Sequence, residues 1–478
     1  MDKHTIIELA YDYVITMSKN KKYNPQTTAN VTSLERFGKN KIVSILQMPI
    51  QKFCSIYPQK KVRDFVYKSD YFTPRNMYLL NPLYYLYYTF MVFSLGQLYL
   101  KSDTKLDFSR NHMDLFYSGL LDFKSTQKDI NTNAIYNERY KEFQNERENY
   151  FGQPALKIDL QDFFNSIKTS DLINKLRKIL GKNSVIDDLE YFFDYCGFDS
   201  LPQLHYSIAS SILSQFYLLD FDSKVQAMLV KEKLHLLRFV DDMFFIHLDG
   251  SGDKKKNNNI LNKVSYFLWE DSLVLNTSKT KMLNEDEYMS GYALLGSDYV
   301  GSFSSEKLIE EKANEVIREG HLILLVKKLY ALEKTKGIDL EDYKKLVNEY
   351  LSIGEEDAGK VMNNILYSKK WKLIKESDLM IIVKKWRFIL FNPSQFTVLY
   401  ILVYRYLEKK GFINDEGLKV NKVLKYLYRY KAFTFRDTLV AVSYLLQSQL
   451  SSKSLLSKVQ KVNPDYVDFI ETFILRDA

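Results

Sequence analysis

The segment Leu234–Leu248 reads LHLLRFVDDMFFIHL, two apolar, β-prone runs on either side of Asp241-Asp242. A hairpin with two solvated aspartates is the plain structural account. Two-residue hairpin loops, however, favour Asn-Gly or Asp-Gly, because central residues need positive φ. Asp241-Asp242 has no glycine beside it. Adjacent carboxylates also repel unless positive charge sits between them. A pair of divalent ions supplies it: hard cations take carboxylate oxygens, and two metals about 3.5–4 Å apart can clamp the attacking and leaving oxygens of phosphoryl transfer. A further carboxylate lies upstream in Ala155–Ile167, ALKIDLQDFFNSI, where an apolar run ends near Asp159 and Phe163-Phe164 follow. Asp159 alone would pass for a helix cap. A strand-end aspartate beside a strand–Asp-Asp–strand hairpin instead places three carboxylates on one sheet edge.

The elements around these residues follow from texture. Short apolar runs at Ala155–Leu160, Leu234–Val240, Met243–Leu248 and Tyr292–Leu295, with helical stretches between them, predict an α+β domain over about 151–304. Residues 1–150 mix helices and loops. From about Ser305 the apolar spacing turns helical, in Ala313–Leu332, Tyr343–Ile353, Asp357–Leu366, Phe396–Leu407, Leu418–Tyr430 and Asp437–Leu450, which predicts an all-α region over 305–478. The low-complexity tract Lys254–Asn259, KKKNNN, reads as a solvated loop.

Composition bounds the classes. The chain has 478 residues, 17 Gly and 9 Pro against 36 Tyr and 31 Phe, which excludes collagens, linkers and loop-rich sandwiches. Two cysteines, Cys54 and Cys196, cannot build a disulfide framework, and no Cys/His spacing suits zinc. The N-terminus lacks the pattern of a signal peptide. Asn76–Leu100 carries no charge over 25 residues, yet six tyrosines, Asn81, Pro82 and Gln97 interrupt it, so it reads as a buried helix rather than a membrane span. A cytoplasmic protein without a membrane segment is expected.

In this order the motifs resemble those of reverse transcriptases. Asp159–Phe164 is similar to their D-x-x-x-F-F element and Arg238–Asp242, RFVDD, to their R-[YF]-x-D-D hairpin. Leu201-Pro202-Gln203 with Ser210–Leu218 resembles the LPQG…S-x-x-L-x-N-x-x-L helix, Leu273–Lys281 the L-x-L-N-x-x-K-T segment, and Leu294–Gly296 the turn before the thumb. Tyr71–Pro82 is a weaker upstream match. The resemblance covers about 160–300 and implies polymerase fingers and palm. It implies Asp159 and Asp241 as ligands of two Mg2+ ions, with Mn2+ as a substitute, and Asp242 in support. Lys279 would act on the pyrophosphate, Phe164 would gate the sugar in favour of dNTPs, and Gln203 and Arg75 would contact nucleotide or primer–template. Two departures stand out: Leu204 replaces the glycine after Pro-Gln, and the spacing from there to Ser210 is two residues longer.

A palm followed by a long helical region resembles the bacterial abortive-infection, or unknown-group, defence reverse transcriptases. The resemblance implies HEAT-like repeats, homo-oligomers, and in some members synthesis primed on their own tyrosine without a template. Two alternatives stay open: an RNA-templated reverse transcriptase using a noncoding RNA, and a non-catalytic nucleic-acid-binding scaffold. Net charge is +8 overall, but Lys369–Arg436 holds 16 Lys/Arg against 5 Asp/Glu. There Lys422, Lys425 and Arg429 fall on one helical face with Tyr426, Tyr428 and Tyr430 nearby, a pattern suited to phosphates and stacked bases of a single-stranded DNA product or an RNA template. A solvated basic face over core tyrosines is the competing account.

Overall fold

The structure, a computed structural model, describes residues 1–20, 24–67, 74–100, 103–285, 288, 303–353, 358–429, 434–446 and 451–475. Tyr71–Thr73, Tyr292–Leu295, Gly296 and Tyr430, all singled out from the sequence, lie outside them. The protein is α+β, with mixed sheets in the N-terminal half and an all-helical C-terminal region. The chain divides into two compact units, one of 1–301 with 469–476 and one of 302–468 with 477–478.

The first unit opens with helices α1 (Lys3–Asn20), α2 (Pro25–Phe37), α3 (Lys39–Leu46) and α4 (Ile50–Ile56). Strands β1 (Lys61–Tyr67) and β2 (Pro74–Leu80) form an antiparallel hairpin and lead into α5 (Pro82–Tyr99). Then come β3 (Met113–Phe116), α6 (Gln127–Asn133), α7 (Tyr136–Glu148), β4 (Ala155–Ile158) and α8 (Phe163–Ser166). Helices α9 (Thr169–Leu180) and α10 (Ser184–Cys196) precede β5 (Gln203–Leu204) and the long α11 (Ile208–Glu232). The unit continues with β6 (Leu234–Phe239), β7 (Asp242–His247), α12 (Lys254–Glu270) and β8 (Lys281–Leu283). Two sheets result, β1-β2-β5 and β3-β6-β7-β4-β8.

Helix α5 is the uncharged, tyrosine-rich stretch. Asn81 caps it through Leu83 N and Pro82 supplies the first turn, where a missing N–H costs nothing. Residues Pro82–Gly96 are buried all round. Its tyrosines reconcile that burial with their hydroxyls by donating to backbone: Tyr84 to Tyr57 O, Tyr85 to His205 O and Tyr87 to Met48 O, each at 2.9 Å. Tyr88 shares a 3.1 Å bond with Ser210 Oγ. Burial pushes these phenols far above their ordinary pKa. Among the described residues no helix is long and apolar enough to cross a membrane.

The KKKNNN tract is not a loop. Asp253 accepts from Lys256 N at 2.8 Å and starts α12 there, and Asn257 is buried against His247 Nε2 at 2.8 Å. Polar composition hides a capped, anchored helix start.

The second unit holds helices Phe303–Arg318, His321–Lys336, Leu340–Leu351, Ala358–Tyr367, Glu376–Lys384, Pro393–Lys409, Val420–Arg429, Phe435–Leu446 and Lys453–Val462. Gly320, in the left-handed conformation at φ +71°, breaks the single period expected over Ala313–Leu332 into two helices. Glu376–Lys384 and Lys453–Val462 are helices that the apolar spacing does not single out.

Candidate active site

The central sheet brings the carboxylates together. Strand β4 pairs antiparallel with β7, Ile158 opposite Met243, so the next step along both strands sets Asp159 beside Asp242. Strand β7 pairs with β6 in register Phe239 to Asp242, which leaves Val240-Asp241 as the hairpin loop. The turn thus sits one residue earlier than an Asp-Asp loop would, and Asp242 belongs to the strand. Val240 takes the positive φ, +55°, that this loop needs at its first position and that glycine usually provides. For a β-branched residue this is a strained conformation, of order 1–3 kcal/mol.

What holds that turn lies beneath it. Val240 N donates to Phe116 O at 3.0 Å, and Arg238 Nη1 donates to Val240 O at 3.3 Å. Arg238 Nη2 is in turn 2.6 Å from Asp222 Oδ2 on α11, and both side chains are fully buried. Burial pushes the Asp222 carboxyl up and the Arg238 guanidinium down, and their mutual attraction opposes both shifts. The arginine of the RFVDD run is therefore an internal strut, and Asp222 is its anchor.

Asp159 is oriented from the segment after α12. Gln161 N donates to Val274 O at 2.8 Å, and Asn276 N donates to Asp159 O at 2.8 Å, which zips the two segments together. Asn276 Nδ2 then donates to Asp159 Oδ1 at 2.9 Å. Lys279 N and Thr280 N return to Asn276 O at 3.1 and 2.9 Å, a turn that aims Lys279 Nζ at Asp159 Oδ2, 3.2 Å away. Sequence alone assigns Asn276 no role; its one signal is its place three residues before Lys279. Replacing it with alanine is expected to weaken divalent-metal binding about 10–100-fold, the usual cost of losing a residue that orients a ligand, read by Mn2+ titration.

The electrostatics are those of crowded acids. Burial raises Asp241 to about 7, and repulsion from Asp242 and then Asp159 adds to it. Asp242 is also raised by burial, with Lys157 countering the effect and Asp159 adding to it. Among the described residues no three His, Cys, Asp or Glu side chains form a ready-made metal cage. The donor set nonetheless fits hard divalent ions: oxygen ligands only, mutually repelling, one of them bridged to an ammonium that a metal would displace.

The remaining sequence candidates are spread. Phe164 lies on α8, just past Asp159, half-buried with its ring edge-on to Phe163 at 5.4 Å. Asn165 on the same helix accepts from Asn76 Nδ2 of β2 at 2.7 Å, tying the two sheets' surroundings together. Arg75 is exposed on β2, opposite Val66, and by strand alternation faces away from Asn76. Gln203 pairs with Met77 in the smaller sheet. The two extra residues after Leu204 form a turn, His205-Tyr206, with Tyr206 at φ +55°. His205 is buried there between Asp64 Oδ2 at 2.6 Å and Asn24 Nδ2 at 2.8 Å.

Lys422, Lys425 and Arg429 lie in the second unit and share an exposed face of helix Val420–Arg429. The tyrosines beside them are engaged. Tyr426 packs edge-on to Trp386 at 4.8 Å and accepts from Arg387 at 2.5 Å, while Lys458 covers the Tyr428 ring.

No protein-family model matches the chain, and a comparison with curated proteins finds no match.

Proposed function

We propose that the chain is a metal-dependent nucleotidyltransferase of reverse-transcriptase type, adding dNTPs to a 3′-hydroxyl. The observation that carries this reading is the convergence of Asp159, Asp241 and Asp242 on one sheet edge, with Lys279 Nζ on Asp159. In this reading the five-stranded sheet is the palm, the N-terminal helices with the β1–β2 hairpin are fingers, and the second unit is a HEAT-like repeat domain. Two Mg2+ ions, or Mn2+, would be held by Asp159 and Asp241 with Asp242 in support, and when bound they supply activation of the hydroxyl and neutralisation of the leaving pyrophosphate. Asn276 and the Arg238–Asp222 strut keep the carboxylates in place. Lys279, released from Asp159, is placed to donate a proton or a hydrogen bond to the departing phosphate. Phe164 would stack under the sugar and crowd a ribose 2′-hydroxyl.

The architecture, more than any motif, favours a role in bacterial anti-phage abortive infection, with homo-oligomers in the cytoplasm making single-stranded DNA. Protein priming fits a template-free version of this chemistry. Tyr84, Tyr85, Tyr87 and Tyr88 of α5 are poor candidates for it, because their hydroxyls are bonded to backbone or Ser210 within a buried helix. The test is direct: purified protein with Mg2+ and labelled dNTPs, no template or primer added. Labelled DNA, retained on the protein through denaturation, is the expected result. Extension only of an added RNA-templated primer would select the noncoding-RNA alternative, and no incorporation under either condition would favour the scaffold.

A further inference from the structure

Beside the carboxylates stands a set of cations larger than the three acids need. Lys157 is two residues before Asp159 on β4, and so on the same face of the sheet. Across the β4–β8 ladder its direct partner is Lys281. Like charges directly opposite one another destabilise a sheet pair. The one acid that the neighbouring strand β7 offers on this face is Asp242, diagonal to Lys157 and partly offset by it, and it is itself one of the three clustered carboxylates. Across β7 Lys157 faces Phe244, with Nζ 5.5 Å from the ring centre, and Lys281 is exposed on the edge strand. Lys279 adds a third ammonium. Beneath them Arg147 is fully buried, its guanidinium 4.2 Å from the Phe244 ring centre and 5.1 Å from that of Tyr288.

Four cations thus accompany three carboxylates. Lys157, Lys279 and Arg147 each offset the Asp242 carboxylate, yet the cations outnumber the acids, and positive charge beside metal ligands weakens metal binding unless an anion joins it. With two divalent ions added, the site would be strongly positive, and only a polyanion restores balance. Arg147 is too deeply buried to touch a ligand, and Lys279, once a metal displaces it from Asp159, is committed to the departing phosphate in the proposed reaction. Lys157 and Lys281 remain, side by side, on the face the carboxylates occupy.

We infer that Lys157 and Lys281 form a phosphate-binding pair flanking the carboxylates, which holds an anionic oxygen of a substrate phosphate. The cost of opposing two lysines across the ladder is then met when the phosphate bridges them. This inference rests on the nucleotidyl-transfer reading for its substrate, but the pair itself is testable without catalysis. Two phosphates present the same chemistry: the triphosphate of the incoming nucleotide and the phosphodiester of the strand end.

The experiment measures binding of inorganic tripolyphosphate and, separately, of a short oligodeoxynucleotide to the full chain at low salt without divalent metal. Lys157→Gln and Lys281→Gln are each expected to weaken one or both by about tenfold, as for loss of one charge-assisted hydrogen bond, while Lys281→Arg retains binding. Selective loss of tripolyphosphate assigns the pair to the triphosphate, and selective loss of the oligonucleotide assigns it to the strand. Thermal melting guards against misfolding: removing one of two opposed lysines should leave the melting temperature unchanged or raise it. Wild-type affinity for both probes in both variants overturns the inference, as does a melting temperature that falls in both. Should Asp241→Asn leave nucleotide incorporation intact, the catalytic reading fails, whereas the binding results still judge the lysine pair on their own.

Discussion

Asp241→Asn is expected to abolish nucleotide incorporation and, at the same time, to make the metal-free protein more stable. The two effects share one cause. Asp241 sits beside Asp242 and Asp159, and its folded pKa stands at about 7 against an ordinary value of 3.8. Between those values the folded chain holds a proton that the unfolded chain has released. Stability of the metal-free protein therefore falls as pH rises through this window, and the full cost is present above about pH 7. Asparagine carries no such cost. At pH 8 the variant should be more stable by about 1–3 kcal/mol, allowing for sharing of the repulsion among three acids. Near pH 4 the two proteins should converge. Mg2+ should raise the melting temperature of the wild type and leave the variant's nearly unchanged. A variant less stable than wild type at pH 8 would mean that Asp241 is a structural acid with a native partner. In activity, loss of a proposed metal ligand should cost about a thousandfold or more.

Asp222→Ala should be the most destabilising single change near the site. It leaves the Arg238 guanidinium charged and unpaired where neither side chain touches solvent. Breaking one member of such a pair typically costs about 3–5 kcal/mol, a large share of the roughly 5–15 kcal/mol that holds most domains together. It also frees Arg238 from beneath Val240, whose strained turn aims Asp241. Urea unfolding should show the loss, and replacing both partners, Asp222→Leu with Arg238→Met, should recover most of it because no buried charge remains. A loss under about 1 kcal/mol for Asp222→Ala alone, well below the usual cost, would show that the pair is not what holds the hairpin. The unpaired oxygen Asp222 Oδ1 and the unpaired Arg238 Nε are consistent with a strut retained for placement more than for stability.

These residues show what a sequence exposes and what it conceals. Strands β4, β6 and β7 are legible because each is a short apolar run ended by charge, and the carboxylates because they interrupt those runs. Asp222 is not, because it lies sixteen residues before its partner, in a helix where an aspartate suggests a solvated face. The turn falls one residue earlier than the sequence suggests because strain at Val240 has no local signature: propensity alone would keep a β-branched residue out of that conformation. Asn276 needs the tertiary zipper between 159–161 and 274–276 to acquire a role. Gly320 and the capped start at Asp253 are in plain view, but apolar spacing in one case and polar composition in the other outweigh a single capping residue. The burial of the α5 tyrosines is legible from the lack of charge. Their backbone acceptors, on α4's flanks and at His205, are not.

The proposed chemistry stands or falls with Asp159, Asp241 and Asp242 holding two divalent ions. Mn2+ binding followed by electron paramagnetic resonance tests this whatever the primer, template or product. Wild-type protein is expected to bind two Mn2+ ions whose spectra show mutual spin coupling, the mark of a pair about 3.5–4 Å apart, with Asp159→Asn and Asp241→Asn each abolishing the coupled signal. Binding that is absent, or that persists unchanged in both variants, would contradict a two-metal centre at these carboxylates.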